Sequence, residues 1–309
     1  MKHSAGRVVY SNVQVVTLAV ENWRRLRSSE RAAGFYFLYV SALAALLPLT
    51  GETRLRIWGV NLLLGGLFAS FNHAPSALRD WLPAPLILLA YKEMGWLAQP
   101  HTDISRETAW VYWDRLLLGD WGVKALIESA GPVIPGFLEL CYLLVYVMVP
   151  VSIGLATIYA RDRVEQLTFP LLVTCLITYG LFPFFPSEPP RTVFPTDLVP
   201  TYQTLFRQIN WYICGGYGIH TSVFPSGHVS SAIAATVGVY RLMPERRWAW
   251  EALALITTGI FIATVYGRYH YLVDSLAGAL VAAVVLAMLP RAAGAVWSGQ
   301  GSWPPAGQA

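Results

Sequence analysis

Three short polar runs break up otherwise apolar sequence between residues 182 and 274. They read Pro186-Ser187-Glu188-Pro189-Pro190-Arg191, Phe224-Pro225-Ser226-Gly227-His228, and Gly267-Arg268-Tyr269-His270-Tyr271-Leu272-Val273-Asp274. Each stands at the end of a hydrophobic segment. Two histidines, two arginines, a serine, a glycine and an aspartate gathered at segment ends imply one phosphate-handling site at a membrane surface, and the rest of the chain reads as its scaffold.

Composition supports a membrane scaffold. The chain is 55% hydrophobic and only 13% charged, whereas a soluble domain carries about 25% charged residues. The net charge of +4 comes without a lysine-rich run, so nucleic acid has no electrostatic footprint here. Cys141 and Cys175 lie in apolar stretches and Cys214 in what reads as a polar loop, which gives neither a disulfide framework nor zinc-ligand spacing. Val8 to Val20 is too short and too interrupted for a signal peptide and reads as an interfacial segment.

A spanning helix needs about 20 apolar residues. Segments 32–50, 55–72, 81–97, 133–158, 166–186, 228–243, 249–267 and 269–289 read as candidates, the sixth short and the third weakened by Lys92 and Glu93, giving an all-α polytopic bundle of about six to eight spans. Basic residues cluster at 2–31 (Lys2, Arg7, Arg24, Arg25, Arg27, Arg31), at Arg161 and Arg163, and at Arg241, Arg246 and Arg247. With a cytoplasmic N-terminus all three clusters fall inside, and the polar runs fall on the exoplasmic side. The compact, short-looped chain points to a bacterial inner membrane. Residues 108–131 alternate Trp110, Trp113, Leu116, Leu117, Leu118 and Trp121 with Asp114, Arg115, Asp120 and Lys124, the pattern of an interfacial amphipathic helix serving as connector or lipid-entry lid. The expected organisation is a basic segment 1–31, N-terminal membrane helices with the interfacial helix over 32–132, a catalytic membrane core over 133–290, and a disordered tail over 291–309.

Several residues carry candidate chemistry. His270 and Asp274, four apart, share a helix face, so the carboxylate can hold one imidazole nitrogen and leave the other free to attack. Ser226 suits an N-cap, and Gly227 lets a phosphate approach the helix N-terminus. His228 then stands ready to protonate a leaving oxygen. Arg191, stiffened by Pro189 and Pro190, offers a bidentate guanidinium, and Arg268 offers another. Taken singly, each has a plainer reading as a cap, an interfacial anchor or a satisfied buried polar group. His220 lies in the same loop with a weaker claim.

Together the runs resemble the type 2 phosphatidic acid phosphatase superfamily. Pro225-Ser226-Gly227-His228 matches its second motif, and His270 with Asp274 matches its His-x-x-x-Asp ending. Pro189-Pro190-Arg191 and Asp274-Ser275-Leu276-Ala277-Gly278 look most like the inositol phosphorylceramide synthase, or inositolphosphotransferase, branch. Phe184 occupies the position of the family's Lys, Thr192 that of the Pro after the Arg, and Ala263-Thr264 that of its Ser-Arg pair.

The resemblance implies a double displacement. His270 would form a phosphohistidine oriented by Asp274, and His228 would act as acid and then base. Arg191, Arg268, Ser226 and the Gly227 backbone would hold the phosphoryl oxygens. It implies no cofactor and no metal. The expected function is a lipid phosphotransferase or phosphatase, with a membrane lipid as substrate and a lipid alcohol as the acceptor in the transferase case. A lipid phosphate or polyprenyl diphosphate phosphatase is the alternative. A transporter or an inactive binding protein is the alternative of another class, but the polar residues gather at one side and no inverted repeat is visible.

Overall fold

Apolar runs of this length become helices because backbone in lipid must satisfy its own polar groups. The computed structural model describes residues 21–70, 75–97, 103–219 and 222–297, and among them there are helices and turns but no strand. In order they are α1 (Ser28–Leu46), α2 (Gly51–Ser70), α3 (Ser76–Trp81), α4 (Pro83–Leu97), α5 (Ser105–Asp114), α6 (Val123–Glu128), α7 (Val133–Tyr159), α8 (Glu165–Gly180), α9 (Leu205–Tyr217), α10 (Gly227–Leu242), α11 (Arg247–Tyr266) and α12 (Leu272–Trp297). Pro190–Val193 adds a single helical turn.

Helix α10 is the centre of the bundle and packs against α7, α8, α11 and α12. Its buried face includes the small residues Ser230, Ser231, Ala232, Ala234, Ala235 and Gly238, and small residues let neighbouring backbones come close. Hydroxyls supply interhelical bonds in that dry interior: Thr178 Oγ1 donates to Ser230 Oγ at 3.0 Å, and Thr236 and Thr257 pair at 2.7 Å. Helix α8 is a shared wall, with α10 on one side and α1 and α4 on the other. Tyr39 of α1 donates to the Gly180 carbonyl at 2.6 Å, and Glu165 accepts from the Ser29 N–H at 2.7 Å, so α8 is tied to α1 at both ends.

All eight expected segments are helical in the main. Among the described residues four helices are long and apolar enough to cross a membrane: Val133–Tyr159, Glu165–Phe184, Arg247–Tyr266 and Leu272–Leu289. Helices α4 and α10, with 15 and 16 residues, fall short of the length criterion. At 1.5 Å per residue they reach about 22–24 Å, against a hydrocarbon core of about 30 Å. The expected third segment is divided, with α3 ending at Trp81 and α4 starting at Pro83. The expected eighth starts at Leu272 instead of 269, which leaves His270 in the turn between α11 and α12.

The expected interfacial helix is a bent ribbon. Helix α5 runs into a π-helical stretch at Arg115–Asp120, and α6 starts after Gly122, whose φ of 70° an L side chain rarely adopts. The last helix continues to Trp297, past the expected boundary at 290. His220, the segment Val8 to Val20, and residues 298–309 lie outside the described residues.

Helix direction sorts the charges. The polar runs follow α8, precede α10 and join α11 to α12, so all three meet at one end of the bundle. Arg27, Arg161, Arg163, Arg241, Arg246 and Arg247 sit at the start of α1, between α7 and α8, and around the α10–α11 link, at the other end.

Candidate active site

Among the described residues there are two histidines, and they meet. His228 Nδ1 lies 3.2 Å from His270 Nε2. The Nδ1 of His270 faces the Val223 carbonyl at 3.1 Å and Asp274 Oδ2 at 3.4 Å. Both are acceptors, so the proton of His270 sits on Nδ1, its Nε2 keeps the lone pair, and His228 Nδ1–H donates to it. Burial, and then the nearby Arg191 guanidinium, push the His270 imidazole down from its usual 6.5 to about 3, against a smaller upward pull from the Val223 carbonyl. An imidazole held that low is neutral through the physiological range.

Backbone bonds hold the turn. The Thr264 carbonyl accepts from both the Tyr269 and His270 N–H groups, at 3.0 and 2.9 Å. Its hydroxyl pairs with Ser275 at 2.9 Å. Where the family places its Ser-Arg pair, this chain thus has a buried threonine that shapes the turn carrying His270. Asp274 accepts from the Tyr271 N–H at 2.9 Å, and its carbonyl accepts from the Ser226 N–H, also at 2.9 Å.

That second bond joins the Pro-Ser-Gly-His run to the His-Asp run. Ser226 caps α10, its Oγ accepting from the Val229 N–H at 3.4 Å. Gly227 lies against Tyr179, where a Cβ would come within 2.8 Å of the ring. The unpaired N–H groups of this helix start lie beside the histidines.

The two arginines differ. The Arg191 N–H bonds the Arg268 carbonyl at 3.2 Å and its Nη1 bonds the Tyr269 carbonyl at 3.3 Å, with the guanidinium 5.6 Å from the Tyr269 ring centre. Its charge acts on both imidazoles. Arg268 has a left-handed backbone, φ 65°, and is fully buried, with Nη1 on Asp114 Oδ2 at 2.6 Å. Arg268 Nη1, expected to face a phosphate, is engaged by a carboxylate, while its Nε and Nη2 are buried without a hydrogen-bond partner among the described residues; Arg191 is the cation whose charge reaches the histidines. Phe184, at the position of the family's Lys, is exposed.

Several site residues were not singled out from sequence. Tyr142 of α7 stacks on His228, 5.0 Å between ring centres, and on Tyr269 at 3.9 Å; Tyr146 meets His228 edge-on at 5.9 Å. Cys214, expected in a polar loop, is buried on α9 with its sulfur 3.6 Å from the Tyr142 hydroxyl. Tyr269 donates to Glu139 Oε2 at 2.7 Å, and Glu139 also takes Arg207 Nη1 and Asn210 Nδ2, each at 2.8 Å. Tyrosines at i and i+4 in an apolar helix were the available signal, but they read equally as lipid-facing.

The PAP2 superfamily profile matches residues 108–288, more than half of the chain and all of the motif-bearing region. The chain belongs to the PAP2 superfamily. A PA-phosphatase related-family protein of Dictyostelium discoideum is 41% identical over 54 residues, which is 18% of this chain and 9% of that relative. The match thus spans less than a tenth of the relative's length. No solved structure matches. Family membership and four helices fit to cross a membrane mark this as a membrane protein of a phosphatase superfamily, and the paired histidines lie within the matched region.

Proposed function

We propose that this PAP2 protein cleaves a membrane lipid phosphate ester through a phosphohistidine on His270, from the exoplasmic side. The observation that carries the reading is the relay Val223 and Asp274 to His270 Nδ1, and His270 Nε2 to His228 Nδ1 at 3.2 Å. It leaves one imidazole nitrogen with a free pair, in register with a second imidazole able to carry a proton.

In the first step Nε2 of His270 bonds phosphorus and the P–O ester bond breaks, while His228, protonated on both ring nitrogens once the phosphate anion lies beside it, gives one of its two protons to the departing lipid oxygen and returns to neutral imidazole. In the second, the acceptor hydroxyl loses its proton to His228 and attacks phosphorus, and the P–N bond breaks. Arg191 neutralises the phosphoryl oxygens, with the N–H groups at the start of α10 beside it. The exoplasmic placement rests on the basic residues at the opposite end of the bundle.

With water as acceptor this is a lipid phosphatase, the activity that family membership favours. A second reading, transfer of a phosphorylated head group to a lipid alcohol in the manner of an inositolphosphotransferase, is favoured by burial. Tyr142 and Tyr146 cover His228, and His270 is only 6% exposed, which keeps water from the phosphohistidine.

The test is product analysis with detergent-purified protein in EDTA, wild type beside His270→Ala. Substrates are phosphatidic acid, a polyprenyl diphosphate, and phosphatidylinositol with and without ceramide or diacylglycerol. Free phosphate lost in the variant supports the hydrolase, and acceptor-dependent lipid product without free phosphate supports the transferase. Full activity in His270→Ala would overturn the mechanism.

A further inference from the structure

Helix α5 reaches all three polar runs. At its start, Arg106 Nη1 donates to the Pro186 carbonyl at 3.1 Å, and Glu107 Oε1 accepts from the Glu188 N–H at 3.0 Å. One turn on, Trp110 stacks on Phe224 at 5.2 Å and meets Tyr271 edge-on at 5.6 Å, while Val111 is buried with Val223 and Tyr271. At its end Asp114 takes two donors: Oδ1 accepts from the Leu272 N–H at 2.9 Å and Oδ2 from Arg268 Nη1 at 2.6 Å. Positions 107, 110, 111 and 114 form one helical face, and it is the face turned into the protein. Glu107 and Asp114 are fully buried there, whereas Trp113 and Trp121 are exposed.

A helix that only floats at an interface turns its carboxylates to water. This one turns them inward. The two partners of Asp114 stand two residues before and two residues after His270, so one carboxylate grips the nucleophile's turn on both sides. Arg268 sits in a left-handed conformation that non-glycine residues rarely adopt. Its buried charge has Asp114 as its ion-pair partner.

We propose that Asp114 is a positioning residue for His270, and that α5 sets the spacing of the nucleophile from the other two runs. The proposal rests on His270 being the nucleophile. Without the Asp114 carboxylate, Arg268 is a buried cation lacking its counter-charge, the turn relaxes, and Nε2 leaves its register with His228. Misplacing a reacting atom by about 1 Å costs on the order of 10²-fold in rate.

The experiment measures kcat and KM separately on phosphatidic acid in detergent micelles, using full-length protein. The variants are Asp114→Asn, Arg268→Gln, Arg268→Lys, the double variant Asp114→Asn/Arg268→Gln, and His270→Asn. Asp114→Asn and Arg268→Gln are each expected to lower kcat by about 10²-fold with KM within threefold. The double variant should be no worse than either single one, because both break the same pair, and Arg268→Lys should retain most of the activity. An Asp114→Asn kcat within threefold of wild type, a loss confined to KM, or additive losses in the double variant would overturn the proposal. Should Asp114→Asn fail to fold, Arg268→Gln against Arg268→Lys carries the test, and equal activity in those two sinks it. His270→Asn separates the two claims: if it stays active the reading of the nucleophile fails, and if it is dead while Asp114→Asn is normal, only the positioning role fails.

Discussion

His228 and His270 hydrogen-bond directly, ring nitrogen to ring nitrogen, at 3.2 Å. That separation is too small to hold a phosphorus atom in line between them, so substrate must part the pair as it enters. In the proposed reaction His228, protonated beside the bound phosphate anion, then faces the leaving oxygen. His228→Asn should lower turnover of an alkyl phosphate by about 10²–10⁴-fold, the usual worth of an acid–base group. The loss should shrink on a nitrophenyl phosphate, whose leaving group needs no proton. His270→Asn should be equally inactive on both. Equal losses for His228→Asn on both esters would remove it as the acid.

The low basicity of His270 has a consequence for stability. Its folded value of about 3 lies below the ordinary 6.5 of an unfolded chain, so between these limits the unfolded state binds more protons. The contribution of this group therefore rises with pH from about 3 to about 6.5 and is complete above that, at up to about 1.4 kcal/mol per pH unit. Thermal midpoints of wild type and His270→Gln, measured from pH 4 to pH 7.5, should differ by an amount that changes with pH below 6.5 and flattens above it. A difference that grows towards acid in favour of wild type would contradict the assignment.

Gly278 on α12 packs on the second polar run, where an added Cβ would lie 2.4 Å from the Ser226 carbonyl oxygen. That oxygen is main chain and cannot swing aside. Gly278→Ala should cost about 1–3 kcal/mol, as overpacking does, and should also lower kcat by moving His228. Gly227→Ala meets only the Tyr179 ring, at 2.8 Å, and should cost less. Chemical denaturation of the two purified variants ranks them, and the reverse order would show that the α10–α12 contact is softer than described.

Glu139 and Arg207 form an ion pair with side chains 1% and 2% exposed. Removing one partner from such a pair costs about 3–5 kcal/mol because the other charge is stranded. Glu139→Ala should therefore lose stability on that scale, far more than Tyr269→Phe, which deletes one hydrogen bond worth about 1–3 kcal/mol. Unfolding midpoints for the two variants check this. Equal small losses would mean that water reaches Arg207.

Much of this site could be read in the chain because its key spacings are local. Four residues from His270 to Asp274 and a serine ahead of a helix need no tertiary knowledge. The Arg268–Asp114 pair was not legible, because a left-handed turn at Arg268 directs Nη1 of a residue only two from His270 to a helix residue 154 positions away in the chain. Asp114 sits in a run that alternates tryptophan, leucine and charge, and only packing decides which face of such a helix turns inward. Tyr142 and Tyr146 looked like any aromatic pair in an apolar span until α10 brought His228 between them. Cys214, next to two glycines, read as loop, but the apolar face of α9 buries it. Helix existence was legible throughout. The shortness of α10 was legible too, since Pro225 and Pro244 bracket its apolar run, and Lys92 and Glu93 already marked α4 as the weaker span.

The bond from the Ser226 N–H to the Asp274 carbonyl joins the two histidine-bearing runs through main chain alone. Every residue type except proline carries that N–H, and every residue type carries that carbonyl. The register of the two histidine-bearing runs at this joint is thus insulated from side-chain drift. Residues around the histidines can be exchanged, by evolution or by an engineer, while this fastening persists.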